Sequence, residues 1–259
     1  MPLPKNITRK DIVKSIPARV AEYNKETPYN SVYRHFITER KEGIKSSGSL
    51  GKWLITPETA DLIYLFVKDY STKPYIVSLP EVYTRKLYEL TRTVDIEGLS
   101  RFTPEQGPLS QQIGTSTVAQ ELGKLFDFCS HWRCFSEAGG ILIGSKVAHA
   151  IFPELCPTVE PKHIGISLFN LAPGEYLPPG DSWNTYLGYT PRRKINPSPR
   201  GGGRCRWRRD QYLCAVGFYA RIYHDWQEAN GNPGLDAFLS LDPEQGTTGI
   251  PRLLDKAFW

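Results

Sequence analysis

With 259 residues, 40% of them apolar, the chain is long enough to bury a sizeable core as one large domain or two modest ones. No apolar run approaches the ~18 residues of a membrane helix, and the polar, proline-broken N-terminus is unlike a signal peptide, so neither a membrane span nor secretion is predicted. The net charge of +5 is smaller than that of one segment, residues 192–209, which carries eight cations and no acid.

The first half of the chain is predicted to be helical with interruptions. Apolar residues at helical spacing predict a first helix that Pro17 should bend or restart. A second helix is predicted to begin after Thr56, because a threonine N-cap followed by proline is a favourable helix start. Residues 80–90 predict a third helix, while residues 75–77 are compatible with a short strand and residues 95–116 are predicted to form a loop region with short turns.

The second half is also predicted to be helical. Segments 116–135 and 210–229 place apolar residues at i, i+3 and i+4, which is typical of a helix with one buried face. A last helix is predicted over residues 250–258, and its apolar end is expected to dock onto the body of the protein. Between these helices, residues 190–209 are rich in proline, glycine and arginine and predict a long, exposed basic loop.

These elements together predict a mainly α-helical fold. Residues 1–259 are interpreted as a single helical domain with two lobes, about 1–110 and 111–259. A β-hairpin is not expected, since no Asn-Gly or similar turn separates two alternating segments.

The basic loop is a candidate nucleic-acid contact. A tryptophan among arginines could stack on a base while the cations bind the phosphate backbone, and in a eukaryotic cell the same residues could act as a nuclear localisation signal. The candidate contacts are Arg204, Arg206, Trp207, Arg208 and Arg209. The alternative is a solvated loop whose charge only aids solubility. The predicted partner is nucleic acid, and DNA in the first place. A membrane partner is not predicted.

A second candidate site lies in residues 139–169, GGILIGSKVAHAIFPELCPTVEPKHIGISLF. Glycines permit a tight turn, and the next helix is predicted to begin near Ser145 with Lys146 in its first turn. A partly desolvated lysine at the positive end of a helix has reason for a lowered pKa and therefore for nucleophilicity. Glu160 follows fourteen residues later, directly before a proline. The alternative reading is a solvated lysine and an acid that merely opens the next helix.

This order of parts resembles the helix-hairpin-helix DNA glycosylase superfamily, and more closely its poorly characterised bacterial relatives. The segment LIGSKVAH matches the end of the hairpin and CPTVEPKHI the region of the assisting acid. The resemblance implies that Gly144 and Ser145 contact the DNA backbone and that Lys146 either attacks the sugar of a flipped nucleotide, as in the bifunctional members, or contacts a phosphate. It also implies that Glu160 assists. Leu142 stands where the family has the first hairpin glycine, Glu160 replaces an aspartate, and the lysine-to-acid spacing is shorter than usual.

Neither a metal nor a cofactor is predicted. The sequence has no GxGxxG, Walker, HExxH or GxSxG motif. Its five cysteines are odd in number and scattered, which favours a reduced, intracellular and cytoplasmic protein. Cys129, His131 and Cys134 raise the idea of zinc, but the apolar side of a helix makes Cys129 a buried small residue instead. His149 is expected to be a core or surface histidine.

Two functions therefore remain open from the sequence. The first is a nucleic-acid-binding protein that resembles a DNA glycosylase and excises a flipped base with a Lys–carboxylate pair. The second is a non-catalytic helical interaction module, or a degenerate relative of the same superfamily.

Overall fold

The computed structural model describes residues 3–26, 29–70, 77–131, 134–136, 140–159, 170–172, 175–176, 183–190, 209–244 and 248–258. Within these residues the chain is mainly α-helical, which confirms the predicted class. The helices are α1 (Arg9–Glu26), α2 (Tyr29–Ser47), α3 (Leu50–Leu54), α4 (Pro57–Asp69), α5 (Pro80–Thr93), α6 (Ile96–Leu99), α7 (Val118–Ser130), α8 (Ile141–Ile151), α9 (Trp183–Leu187), α10 (Arg209–Ala229), α11 (Leu235–Leu239) and α12 (Ile250–Phe258).

Local capping explains where several helices begin. The side chain of Thr56 accepts a hydrogen bond from the backbone N–H of Thr59 at 3.3 Å, which confirms it as the N-cap of α4. At the start of α7, Thr117 and Gln120 form a capping box with bonds of 3.2 and 2.8 Å. These caps pair backbone donors that the first helical turn leaves without a partner.

One local prediction is narrowed by the structure, and another was wrong. Helix α1 continues through Pro17 and does not restart there, while a bend at Pro17 stays a prediction. The helix continues because the burial of Ile16 and Val20 on one face outweighs the backbone hydrogen bond that proline removes. A short antiparallel hairpin joins β1 (Gln112–Ile113) to β2 (Ser116–Thr117) within a segment predicted to be a loop. Its turn contains Gly114 with a φ of +57°, a conformation that glycine adopts without strain.

The C-terminal helix α12 lies inside the protein. Every residue from Ile250 to Phe258 is buried, so the predicted docking of this end is confirmed. Helix α12 packs against α1 and α10, and α7 packs against α8. The buried apolar residues form one continuous cluster that includes members of α1, α4, α7 and α12. The assignment of two lobes stays a prediction.

None of the helices in the described part of the chain combines the length and the apolar character that crossing a bilayer requires.

Candidate functional site

Helix α8 begins earlier than the sequence predicted. Its N-cap is Gly140, whose φ of +111° is open to glycine, and the first helical residue is Ile141 rather than a residue near Ser145. Lys146 is therefore in the second turn and not in the first. The sequence predicted that the positive end of the helix dipole would act on Lys146. That prediction was wrong, because the effect of the dipole falls off within the first turn.

Gly144 and Ser145 make internal contacts. Gly144 lies where α8 crosses α7, and a Cβ atom there would be 2.6 Å from the carbonyl oxygen of Cys129. Ser145 is buried, and its Oγ accepts a hydrogen bond from the backbone N–H of Val159 at 2.9 Å. Both residues thus have packing roles in the free protein, and their predicted contact with nucleic acid stays a prediction.

Replacing Gly144 by alanine should lower the free energy of unfolding by about 1–3 kcal/mol, because the added methyl group must push α8 away from the α7 backbone. Urea unfolding of the purified variant measures this change. As a control, Gly234→Ala adds the same methyl group where no atom lies within 4 Å, and it should cost less than about 1 kcal/mol. Equal effects of the two substitutions would contradict the proposed crowding.

Lys146 points into the protein. The residue is 6% exposed, its ammonium group donates a hydrogen bond to the backbone carbonyl of Tyr70, and Nζ lies 5.2 Å from the centre of the Tyr70 ring. Tyr70 is the C-cap of α4, so the carbonyl is at the negative end of that helix. A cation over a tyrosine face is also attracted by the ring. The solvated lysine of the alternative reading is therefore not what the structure has.

Glu160, the predicted partner of Lys146, lies outside the described residues. The backbone just before it is described and is held from two sides. The N–H of Thr158 donates to Oδ2 of Asp255 at 2.9 Å, and the N–H of Val159 donates to Ser145. The last described residue before Glu160 is thus hydrogen-bonded to the helix that carries Lys146.

His149 is a core histidine, one of the two predicted alternatives. Its Nδ1 is 2.6 Å from the carbonyl oxygen of Cys156, and its Nε2 is 3.1 Å from the hydroxyl of Tyr33. Burial lowers the pKa of His149 to about 3, so the ring is neutral near pH 7. A neutral ring must donate from Nδ1 to the carbonyl and accept at Nε2 from Tyr33.

Sequence reasoning missed a buried polar cluster around Arg252 of α12. Its guanidinium carbon lies 4.3, 5.3 and 5.4 Å from the ring centres of Tyr33, Tyr23 and Tyr70. Its N–H groups donate to the hydroxyls of Tyr70 and Tyr23 and to Oδ1 of Asn30. Burial alone would lower the pKa of Arg252, but the tyrosines raise it, and the net shift is upward. Tyr70 thus connects this cluster to Lys146.

A buried ion pair extends the cluster. Nζ of Lys256 lies 2.6 Å from Oδ2 of Asp242, and neither side chain is exposed to solvent. The same Nζ donates to Oδ1 of Asn24 at 2.9 Å, which links α12 to α1. Burial lowers the pKa of Lys256, and the neighbouring Arg252 lowers it further. The pair therefore anchors the C-terminal helix in the interior.

Asp255 is the third charged residue of α12 and is also buried. Its Oδ2 accepts two hydrogen bonds from Thr158, and its Oδ1 accepts one from the hydroxyl of Tyr219 at 3.0 Å. Burial raises the pKa of Asp255 to about 7, although these hydrogen bonds and Arg252 act in the opposite direction.

Most of the predicted nucleic-acid contacts, Arg204, Arg206, Trp207 and Arg208, lie outside the described residues. Arg209 is described and begins α10. Its guanidinium pairs with Asp127 of α7, and both side chains are about half exposed. This ion pair links Arg209, the last residue of the basic loop, to helix α7.

The described cysteines are buried, including Cys129, as predicted. Burial raises the pKa of Cys129 well above its usual value and the pKa of Cys134 and of Cys156 to about 12. These thiols therefore stay protonated near pH 7 and are poor nucleophiles. Among the described residues, no group of three or more His, Cys, Asp or Glu side chains could hold a metal ion.

No protein-family model, no curated protein and no solved structure matches this chain.

Proposed function

We propose that the protein binds nucleic acid, DNA in the first place, and acts on it as a DNA glycosylase does, with Lys146 as nucleophile and Glu160 as the assisting carboxylate. The observation that carries this proposal is the burial of Lys146, which is only 6% exposed and whose ammonium group donates to the backbone carbonyl of Tyr70. Its helix, α8, packs closely against α7 at Gly144. A surface lysine would be solvated and would have no reason for such contacts.

The chemistry needs only what these residues supply. The neutral amine of Lys146 would add to C1′ of the sugar while the bond between C1′ and the base breaks, and the base would leave with the bonding electron pair and a proton. Glu160 would stabilise the positive charge that develops on the sugar. Opening of the sugar ring then gives an imine between C1′ and Nζ.

The imine provides the test of the catalytic proposal. With a DNA duplex that carries one abasic site, the amine condenses with the sugar aldehyde and releases water, and borohydride reduces the imine to a stable amine. The wild-type protein should give a covalent adduct visible on a denaturing gel. Lys146→Ala should give none, because no amine remains at that position.

The matched control is Lys41→Ala, which removes an exposed lysine of α2 and should leave the adduct unchanged. DNA binding that survives Lys146→Ala, with no adduct from the wild-type protein on abasic or damaged DNA, would reject the enzymatic proposal. That result would favour a non-catalytic binding module in which Lys146 only joins α8 to the end of α4.

Binding itself should weaken steeply with salt, because cations of the basic segment displace counterions from phosphates. Changing Arg204, Arg206, Arg208 and Arg209 to alanine should flatten the log–log salt slope by roughly one unit for each arginine that contacts a phosphate. Fluorescence anisotropy with labelled DNA at several salt concentrations measures the slope. The control changes four exposed cations elsewhere to alanine, namely Lys10, Lys14, Lys41 and Lys45. A flat salt response of the wild-type protein would exclude this mode of binding.

A further inference from the structure

We infer that Tyr70 is the positioning residue for Lys146, because its backbone carbonyl and its ring together hold the lysine amine at one place inside the fold. The inference rests on the proposed function for its consequence in catalysis. Its structural content concerns described residues alone, namely the end of α4, helix α8 and the side chains that surround the Tyr70 ring.

Two different groups of Tyr70 contact the amine of Lys146. Nζ donates a hydrogen bond to the Tyr70 carbonyl, and it lies 5.2 Å from the centre of the Tyr70 ring. The carbonyl attracts the amine as a hydrogen-bond acceptor at the negative end of α4, and the ring attracts it through its face. Contacts from two directions define the place of the nitrogen more closely than either contact would alone.

Tyr70 is itself held from several sides. Its N–H donates to the carbonyl of Phe66 at 2.8 Å, and its ring stacks on the Phe66 ring with the centres 5.1 Å apart. The ring of Tyr29 meets it edge-on at 5.2 Å, and Arg252 donates to its hydroxyl. Aromatic contacts of this kind fix the orientation of a ring. Tyr70 is therefore a rigid support for the lysine.

A second cation makes this place unfavourable for a lysine that has no other role. The guanidinium carbon of Arg252 lies 5.4 Å from the centre of the same Tyr70 ring, and both Arg252 and Lys146 are buried. Like charges around one ring repel each other, and burial reduces the screening by water. An apolar side chain could join α8 to α4 without this cost. A buried amine beside another cation is typical of a site that uses the amine.

The proposed reaction needs a neutral amine whose lone pair can attack C1′ of the sugar. A neutral amine has two N–H bonds and one lone pair, so an N–H donated to the Tyr70 carbonyl turns the lone pair away from that oxygen. The contacts with Tyr70 thus set the direction of attack as well as the place of the nitrogen. Small displacements of reacting groups cost large factors in rate.

The test compares Tyr70→Leu with Tyr70→Phe. Leucine removes the ring, whereas phenylalanine keeps the ring and loses only the hydroxyl. Acetic anhydride labels accessible amines, and peptide mass spectrometry gives the labelling rate of Lys146 relative to the exposed Lys41 in the same sample. This relative rate should rise at least about tenfold in Tyr70→Leu and stay within about threefold of the wild type in Tyr70→Phe.

The borohydride adduct with abasic DNA tests the role in catalysis. At saturating DNA the adduct should form at least about tenfold more slowly in Tyr70→Leu, and within about threefold of the normal rate in Tyr70→Phe. The DNA concentration that gives half of the maximal rate should stay within about twofold in both variants, because positioning affects the reaction and not the encounter.

Two further variants keep the test decisive. If Tyr70→Leu does not fold, Tyr29→Leu removes the edge-on contact with the Tyr70 ring from a partly buried position, and it should change both rates in the same directions by at least about threefold. Tyr88→Leu makes the matched substitution at a tyrosine of α5 that is 51% exposed, and it should change neither rate.

The outcomes separate this inference from the proposed function. A wild-type protein without any adduct rejects the proposed function, and the labelling rate alone then decides whether Tyr70 holds the lysine. An unchanged labelling rate of Lys146 in Tyr70→Leu, or in Tyr29→Leu where that variant takes its place, overturns the inference in every case. Faster labelling with an unchanged rate of adduct formation overturns the role in catalysis.

Discussion

Replacing Lys256 by methionine should lower the free energy of unfolding by about 3–5 kcal/mol, because the substitution leaves the Asp242 carboxylate buried without its cation. Both side chains are fully shielded from solvent in the folded protein, and Nζ lies 2.6 Å from Oδ2. Methionine fills most of the lysine volume, so a cavity contributes little to the loss. Urea unfolding followed by tryptophan fluorescence measures the change.

The double variant separates charge from packing. Asp242→Asn alone should also destabilise the protein, since it leaves the lysine cation buried, but the double variant Lys256→Met/Asp242→Asn should cost less than the sum of both singles by more than about 1 kcal/mol. Lys41→Met removes an exposed cation and should change stability by less than about 0.5 kcal/mol. Strict additivity of the two buried substitutions would show that the pair does not interact as its geometry indicates.

The fold class could be predicted because its signals are local. The apolar stripe of α7, the threonine cap at Thr56 and the proline at the start of α12 each depend on residues within a few positions of one another. The hairpin at Gly114 was missed because its four strand residues are too few to show alternation. The start of α8 was missed because a glycine run does not indicate which glycine takes the left-handed conformation.

The site could be predicted only in part, since its environment comes from distant segments. The glycine turn and the following apolar helix mark Lys146, but Tyr70, which receives its hydrogen bond, is 76 residues away. Helix α12 alternates apolar residues with Arg252, Asp255 and Lys256, and such a pattern normally predicts a polar face in water. The face is buried here because partners from α1 and α2 and from the end of α4 surround it. No pattern in nine residues contains that information.

Two buried groups should give the stability of the protein an unusual pH dependence. Burial lowers the pKa of His149 from 6.5 to about 3, so the unfolded chain binds a proton below pH 6.5 that the folded protein does not bind. Stability from this group is therefore lost as the pH falls. Burial raises the pKa of Asp255 from 3.8 to about 7, so the folded protein holds a proton that the unfolded chain releases. Stability from that group is lost as the pH rises. Each effect is on the order of 4 kcal/mol over its whole range.

Single substitutions should reveal how each group changes the free energy of unfolding with pH. Between about pH 4.5 and pH 6.5 the two contributions oppose each other in the wild-type protein. Asp255→Asn should gain stability relative to the wild type by about 3 kcal/mol as the pH rises across this interval, because the unfavourable deprotonation is gone. His149→Asn should show a relative change of similar size in the opposite direction, a gain over the wild type as the pH falls. Urea unfolding at the two pH values gives both differences.

Using differences from the wild type removes the other titrating groups from the comparison, because all three proteins share them. The titratable groups that interact electrostatically with Asp255 include Arg252 on its own helix, Tyr219 and Tyr212 of α10, Tyr33 of α2, and Tyr70 at the end of α4. None of these titrates between pH 4.5 and 6.5, since the pKa of each is raised from an ordinary value of 10 or above. A pH-independent difference for Asp255→Asn would therefore mean that the pKa of the Asp255 carboxyl is not raised, because its three hydrogen bonds balance or outweigh its burial.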